Sequence, residues 1–163
     1  MEIDELFGLP AHPLVVHAAV VMLPLAAFLT LVAVIWPRAR KWWGPIALFL
    51  ALTATAAVVL AQQSGEALED SVDRTELVSD HTSKGETVLP WAIAVTVMAA
   101  AVTAIDPVSR RYPRARLTSG LGYAALIAVA SVVTIGATYV VIDVGHSGAK
   151  ATWSDVGAGD GQH

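Results

Sequence analysis

The chain has 163 residues, of which 55% are hydrophobic, a net charge of −4 and a mean hydropathy of +0.61. Ordinary soluble domains are about 45–50% apolar, so this composition excludes a typical soluble protein and predicts an integral membrane protein. The absence of cysteine excludes disulfides, thiolate metal sites, iron–sulfur clusters and covalent c-type haem attachment. Any metal or cofactor must therefore be held by histidine, carboxylate, methionine or backbone atoms.

Four apolar stretches are long enough to cross a bilayer, whose hydrocarbon core is about 30 Å thick and needs roughly 20 residues per helix. They cover residues 13–36, 44–63, 88–105 and 117–142. Only short loops and tails remain outside them. We therefore expect residues 1–163 to form one all-α domain, an integral membrane four-helix bundle.

Charged residues outside the spans are segregated by sign. The loops after the first and third spans are basic, whereas the second loop and both termini lean acidic. Basic loops remain cytoplasmic, which predicts an up-down-up-down bundle with both termini on the extracytoplasmic side. The composition of the acidic loop also permits a short exposed helix. The basic loops contain Arg38, Arg40 and Lys41, then Arg110, Arg111, Arg114 and Arg116; the acidic loop contains Glu66, Glu69, Asp70, Asp73, Glu76, Asp80 and Glu86, with Arg74 and Lys84.

Four of the five histidines lie next to the spans. At a rise of about 1.5 Å per residue from the cytoplasmic helix ends, His12, His17, His81 and His146 all reach the outer half of the bilayer or its outer interface. His12 precedes Pro13, so we expect it at the start of the first helix. His17 lies within an apolar run, where an ionisable residue usually indicates a functional site. His163 ends a glycine-rich tail and is not expected to take part.

Polar residues and prolines occur at the same predicted depth. Asp143 and His146 are spaced so that the carboxylate can accept the ring N–H of a ligating imidazole. Pro24 and Pro90 each remove a helical hydrogen bond, so we expect kinks that open a pocket. Two polar stripes with helical spacing face this region: Gln62, Glu66 and Glu69 in the second helix, and Tyr139, Asp143 and His146 in the fourth.

The segment from Gly8 to His17, Gly-Leu-Pro-Ala-His-Pro-Leu-Val-Val-His, resembles the opening of a bacterial four-span membrane family catalogued as domain of unknown function 2231. His81 before the third span and the closing segment 145–149, followed by Trp153, extend the resemblance over nearly the whole chain. The acidic, glycine-rich tail departs from the basic or aromatic-rich tails of relatives. The resemblance implies four helices and outward-facing histidines in a bacterial inner membrane, in a family found with redox modules and suspected of binding haem.

The leading hypothesis is a small b-type haem protein that transfers electrons at the outer face of the membrane. Helix bundles hold haem between imidazoles from different helices. We expect His17 with His81 or His146 as the axial pair, and His12 and Asp143 as hydrogen-bonding residues around the haem. Such a protein is a redox carrier or accessory subunit rather than an enzyme, with a redox partner or a larger respiratory complex beside it in the lipid bilayer.

Two alternatives remain open. Imidazole also suits Cu and Zn, so His17, His81 and His146 are candidate metal ligands, with Glu66, Glu69 or Glu86 nearby. A cofactor-free structural subunit of a larger membrane complex, or a homo-oligomer, fits the alanine-rich helix surfaces but does not explain the histidines. No basic patch beyond the orienting loops indicates nucleic-acid binding.

Overall fold

The computed structural model describes residues 5–6, 9–69, 75–111 and 120–153. Its helices are α1 (Ala11–Ile35), α2 (Pro37–Glu69), α3 (Glu76–Glu86), α4 (Val88–Arg111) and α5 (Gly120–Trp153). Four segments are long and apolar enough to cross a membrane, so the helical class and the number of spans are confirmed. These segments are Leu14–Ile35, Pro37–Glu66, Glu76–Ser109 and Gly120–Lys150.

A small β-hairpin precedes the helices and was not predicted from the sequence. Strand β1 (Glu5–Leu6) pairs antiparallel with β2 (Leu9–Pro10), with Leu6 opposite Leu9. The hairpin leads directly into α1, which begins at Ala11, so His12 and Pro13 both lie in the first helical turn. Proline is tolerated there because the first N–H groups of a helix have no helical partner.

The core of the bundle consists mainly of alanine. Helix α1 packs against α2, α4 and α5, and α2 also packs against α4. Small side chains let helices approach closely in lipid, where packing drives association. Hydroxyl groups add bonds between helices: Thr55 and Thr96 lie 2.9 Å apart, and Thr134 donates to the Ala27 carbonyl at 3.1 Å. The buried alanines include Ala26 and Ala27 in α1, Ala51 and Ala54 in α2, Ala92 and Ala99 in α4, and Ala137 in α5.

One glycine determines how closely α4 and α5 approach. A Cβ added at Gly136 would overlap the ring of Trp91. The indole therefore occupies space that any other residue at position 136 would need. Gly122, in the same helix, has no atom within 4 Å of an added Cβ.

The segment between α2 and α4 forms a short helix and a break. Thr75 caps α3, where its side chain accepts the Val78 N–H at 3.3 Å. The helix is interrupted at one residue, Thr87, whose dihedrals remain helical (φ −72°, ψ −14°), and Pro90 falls in the first turn of α4. The missing N–H of Pro90 therefore costs α4 no hydrogen bond, because the first N–H groups of a helix have no helical partner. In contrast, α1 continues through Pro24.

One predicted loop was wrong. Residues 37–43, expected to form a loop, are the first turns of α2, and a single residue, Trp36, separates α1 from α2. Pro37 occupies the first helical position, where its fixed φ favours the helix. Helix α5 continues beyond residue 142 to Trp153, so Asp143 and His146 lie in this helix, as their spacing predicted.

Candidate functional site

His81 in α3 is held by Ser147 in α5. The ring Nδ1 lies 3.1 Å from Ser147 Oγ, and that hydroxyl donates its proton to the Val144 carbonyl at 2.9 Å. A hydroxyl has one proton, so while Ser147 donates to Val144 its Oγ accepts from Nδ1–H of His81. In that neutral tautomer Nε2 keeps the lone pair that a metal ion requires.

Gly148 of α5 also packs against the imidazole of His81. A Cβ added at Gly148 would lie 2.9 Å from Cε1 of His81, which is closer than real Cβ contacts. Ser147 is only 4% exposed, so the ring packs against a buried, small-residue part of α5. The sequence motif around residues 145–149 was noted, but the contact of Ser147 and Gly148 with His81 was not predicted.

His81 lines a cavity of about 530 Å³, here called the His81 cavity. This volume falls within the roughly 300–1,000 Å³ of small-molecule and cofactor sites. Its wall is mainly apolar, and all five helices contribute to it. The apolar residues include Val16 and Ala19 from α1, Val58 from α2, Leu89 and Ile93 from α4, and Val141 and Val144 from α5; the polar residues are Gln62, Glu66, His81, Thr82 and Glu86.

Gln62 fixes the position of α3 on this cavity. Its Nε2 donates to the Gly85 carbonyl at 3.1 Å, which ties α2 to the last turn of α3. Glu66, one turn later in α2, lines the cavity as well. The predicted polar stripe of α2 thus faces the cavity at these two residues, while the Glu69 side chain lies outside the described residues.

Of the other histidine side chains that the structure describes, those of His17 and His146 do not line the cavity. His17 and His146 are exposed, although their neighbours Val16 and Ser147 contact the cavity or its imidazole. Successive helical residues are about 100° apart around the axis, so a cavity-facing Val16 turns His17 away. The His12 side chain lies outside the described residues. Across the described ranges, no group of three or more His, Asp or Glu side chains is placed to hold a metal ion.

The expected hydrogen bond between Asp143 and His146 is not formed within the described part of the chain. Asp143 instead lies 3.7 Å from Lys84 Nζ, which also contacts Asp80 at 3.0 Å. A lysine ammonium attracts a carboxylate more strongly than a neutral imidazole does. Asp143 therefore links α5 to α3 on the exposed side of His81.

A helical bundle with four membrane-spanning segments and a ligand-sized cavity at one end defines an integral membrane protein with a candidate binding site for a small molecule or cofactor. Residues 8–159 match the model of the family described as "Predicted membrane protein (DUF2231)". The chain belongs to this family, which confirms the resemblance of its opening segment. No curated protein and no solved structure matches the chain significantly.

Proposed function

We propose that the protein is a small b-type haem protein that transfers electrons and that His81 supplies an axial imidazole in the His81 cavity. The observation that supports this proposal is the contact between the His81 ring and Ser147. Nδ1 of that ring is engaged by Ser147, so Nε2 is the free ligand atom. An imidazole oriented by a hydrogen bond from its other nitrogen is the usual arrangement at metal centres.

The cavity suits a largely apolar ligand in two further respects. Its wall is mainly apolar, and an apolar surrounding tunes the potential of a bound redox centre. Its volume of about 530 Å³ accommodates a cofactor. When bound, haem supplies reversible one-electron chemistry. The residues of the chain hold it, orient the ligating ring and shield it from water.

The axial pair expected from the sequence needs one modification. Of the described histidines, His81 alone lines the cavity, and a single proximal histidine is sufficient to hold haem in several protein classes. A second imidazole would come from His17 or His146 only if either side chain turned inward. We therefore propose His81 as the haem ligand, with His17 and His146 as candidate second ligands.

A Cu or Zn site is the second candidate, because Glu66 and Glu86 line the same cavity as His81. Imidazole and carboxylate together suit Zn and Cu. A bare metal requires ligand atoms within about 2.0–2.2 Å of one point, so these side chains would have to converge further. Haem can be held by one protein imidazole, and we favour it for that reason.

We further propose that the four spans alternate in direction and that the His81 cavity opens on the extracytoplasmic side of the bacterial inner membrane. Charge segregation supports this orientation. The contacts between helices support the alternation, because residues late in one helix contact residues early in the helix packed against it. The contacts are Gly44 with Thr103, Thr55 with Thr96 and Gln62 with Gly85 for α2 and α4, and Ala27 with Thr134 and Val34 with Tyr123 for α1 and α5.

The test is the absorption spectrum of the full chain, purified in detergent from cells supplied with haem, before and after dithionite. We expect a Soret band in the oxidised protein and a sharpened α-band on reduction. Protein that lacks both bands and also fails to bind added haem would overturn the proposal. Elemental analysis of the same sample then separates the Cu or Zn alternative from a cofactor-free subunit of a larger complex.

A further inference from the structure

A second cavity lies among the first turns of α2 and the last turns of α4. Its volume is about 560 Å³, and we call it the basic cavity. Among the described residues, its lining includes three cations, Arg40, Lys41 and Arg111, and one carboxylate, Asp106. Because three positive charges face one negative charge, the basic cavity has a net positive charge and favours an anion.

Arg40 is the fixed part of this cavity. It is only 1% exposed, which is rare for a charged residue. Its Nε donates to the Ala33 carbonyl at 3.0 Å, Nη2 to the Val34 carbonyl at 3.4 Å, and Nη1 to Asp106 Oδ1 at 3.3 Å. These bonds satisfy carbonyls at the end of α1 and hold the guanidinium in one orientation.

The guanidinium acts on a ligand through its charge. It carries five N–H groups, and three of them make the bonds to α1 and Asp106. The guanidinium also lines the cavity, so its charge acts on a group bound there. Arginine binds phosphate through charge-assisted hydrogen bonds, and Lys41 and Arg111 line the same cavity.

Tryptophan residues border this end of the bundle. Trp36, Trp42 and Trp43 are all exposed, as is typical of side chains at the level of the lipid headgroups. Lys41 Nζ lies 5.4 Å from the centroid of the Trp42 ring, so its ammonium is held near that level. The basic cavity is therefore at the depth of lipid phosphates.

We propose that the basic cavity binds a phosphate group, presented by an anionic phospholipid or by free phosphate. Asp106 neutralises part of the charge of Arg40, and an incoming phosphodiester neutralises a second cation. Basic pockets between membrane helices bind anionic head groups in this way. This site is independent of the His81 cavity and of any cofactor bound there.

The test uses native mass spectrometry of the full chain in detergent, titrated with phosphatidylglycerol or phosphatidylcholine. The variant is Lys41→Gln with Arg111→Gln, because both residues are exposed and their loss spares the buried Arg40. The matched control is Arg38→Gln, which removes an exposed cation of the same helix that does not line the cavity. Circular dichroism and thermal unfolding verify that each protein is folded.

We expect the wild type to prefer phosphatidylglycerol, the double variant to bind it about 10-fold more weakly or worse, and the control to stay within about two-fold. Competition with inorganic phosphate distinguishes the sources. Displacement of the lipid shows that the phosphate group alone is recognised, and undiminished lipid binding shows that the lipid form is required. Equal affinity for the two lipids, or equal losses in the double variant and the control, would overturn the proposal.

Discussion

Nδ1 of His81 and Oγ of Ser147 are 3.1 Å apart, and this one bond joins α3 to α5 beside the His81 cavity. While the serine proton is donated to the Val144 carbonyl, Oγ accepts the Nδ1 proton of His81 and Nε2 keeps its lone pair. The structural basis of the proposed cofactor site is therefore a pair of residues 66 positions apart in the sequence.

Ser147→Ala should weaken cofactor binding without abolishing it. The variant leaves His81 in place but removes the acceptor that fixes its tautomer, and losses of such hydrogen bonds typically reduce metal affinity about 10–100-fold. Titration of the protein with haem, followed at the Soret band, measures the change. Ser131→Ala is the matched control, because among the described residues the Ser131 hydroxyl bonds only to the Ile127 carbonyl of its own helix. Equal affinities for both variants would show that the Ser147 bond has no role.

Gly148→Ala should displace the imidazole of His81. The new methyl group would lie 2.9 Å from Cε1, so the ring must move. Nuclear magnetic resonance of the histidine ring protons, in protein free of added cofactor, should show a changed shift for His81. Gly145→Ala is the control, since nothing lies within 4 Å of its added Cβ. A His81 resonance unchanged in Gly148→Ala would contradict the described position of the ring.

Gly136→Ala should destabilise the bundle. The added methyl overlaps the Trp91 ring, and overpacking of this kind typically costs about 1–3 kcal/mol of unfolding free energy. Unfolding by denaturant in detergent, followed by tryptophan fluorescence, measures the loss. Gly122→Ala has open space around its Cβ and should be neutral or stabilising by up to about 1 kcal/mol. If both variants had the same stability, the close contact of α4 with α5 would be wrong.

Asp106→Asn should destabilise the basic end of the bundle. Arg40 would lose its only ionic partner among the described residues while it remains buried. Loss of one partner of a buried pair costs about 3–5 kcal/mol; Asp106 is 35% exposed, so screening lowers the expected cost to about 1–3 kcal/mol. Thermal unfolding checks this value against Asp80→Asn, which should matter little because its half-buried partner Lys84 keeps a second carboxylate, Asp143, at 3.7 Å. Equal unfolding temperatures of the two variants would contradict a structural role of the buried pair.

The spans could be predicted from the sequence because a bilayer requires long apolar helices. Their ends could not, since helices α2 and α5 continue past the apolar stretch into polar residues that remain good helix formers. Arg40 illustrates this limit. The sequence predicts Arg40 only as one of several loop cations. In the fold, its guanidinium binds the end of α1 and Asp106.

The candidate site was predicted only in part for a similar reason. Counting residues along helices places the four histidines at one depth but does not determine the direction of each side chain. His81 in α3 lines the cavity, whereas the helical rotation that brings Val16 to the cavity turns His17 outward. Both outcomes depend on packing between elements far apart in the sequence.

The most direct test of haem ligation by His81 compares the reduced absorption spectrum of His81→Ala with those of His17→Ala and His146→Ala. If His81 is the haem ligand, His81→Ala loses the bound haem, and with it the Soret and α-bands. His17→Ala and His146→Ala should retain haem, with altered band positions only where a second axial ligand is removed. A His81→Ala protein with the full wild-type spectrum would contradict the assignment of His81 as the ligand in the cavity.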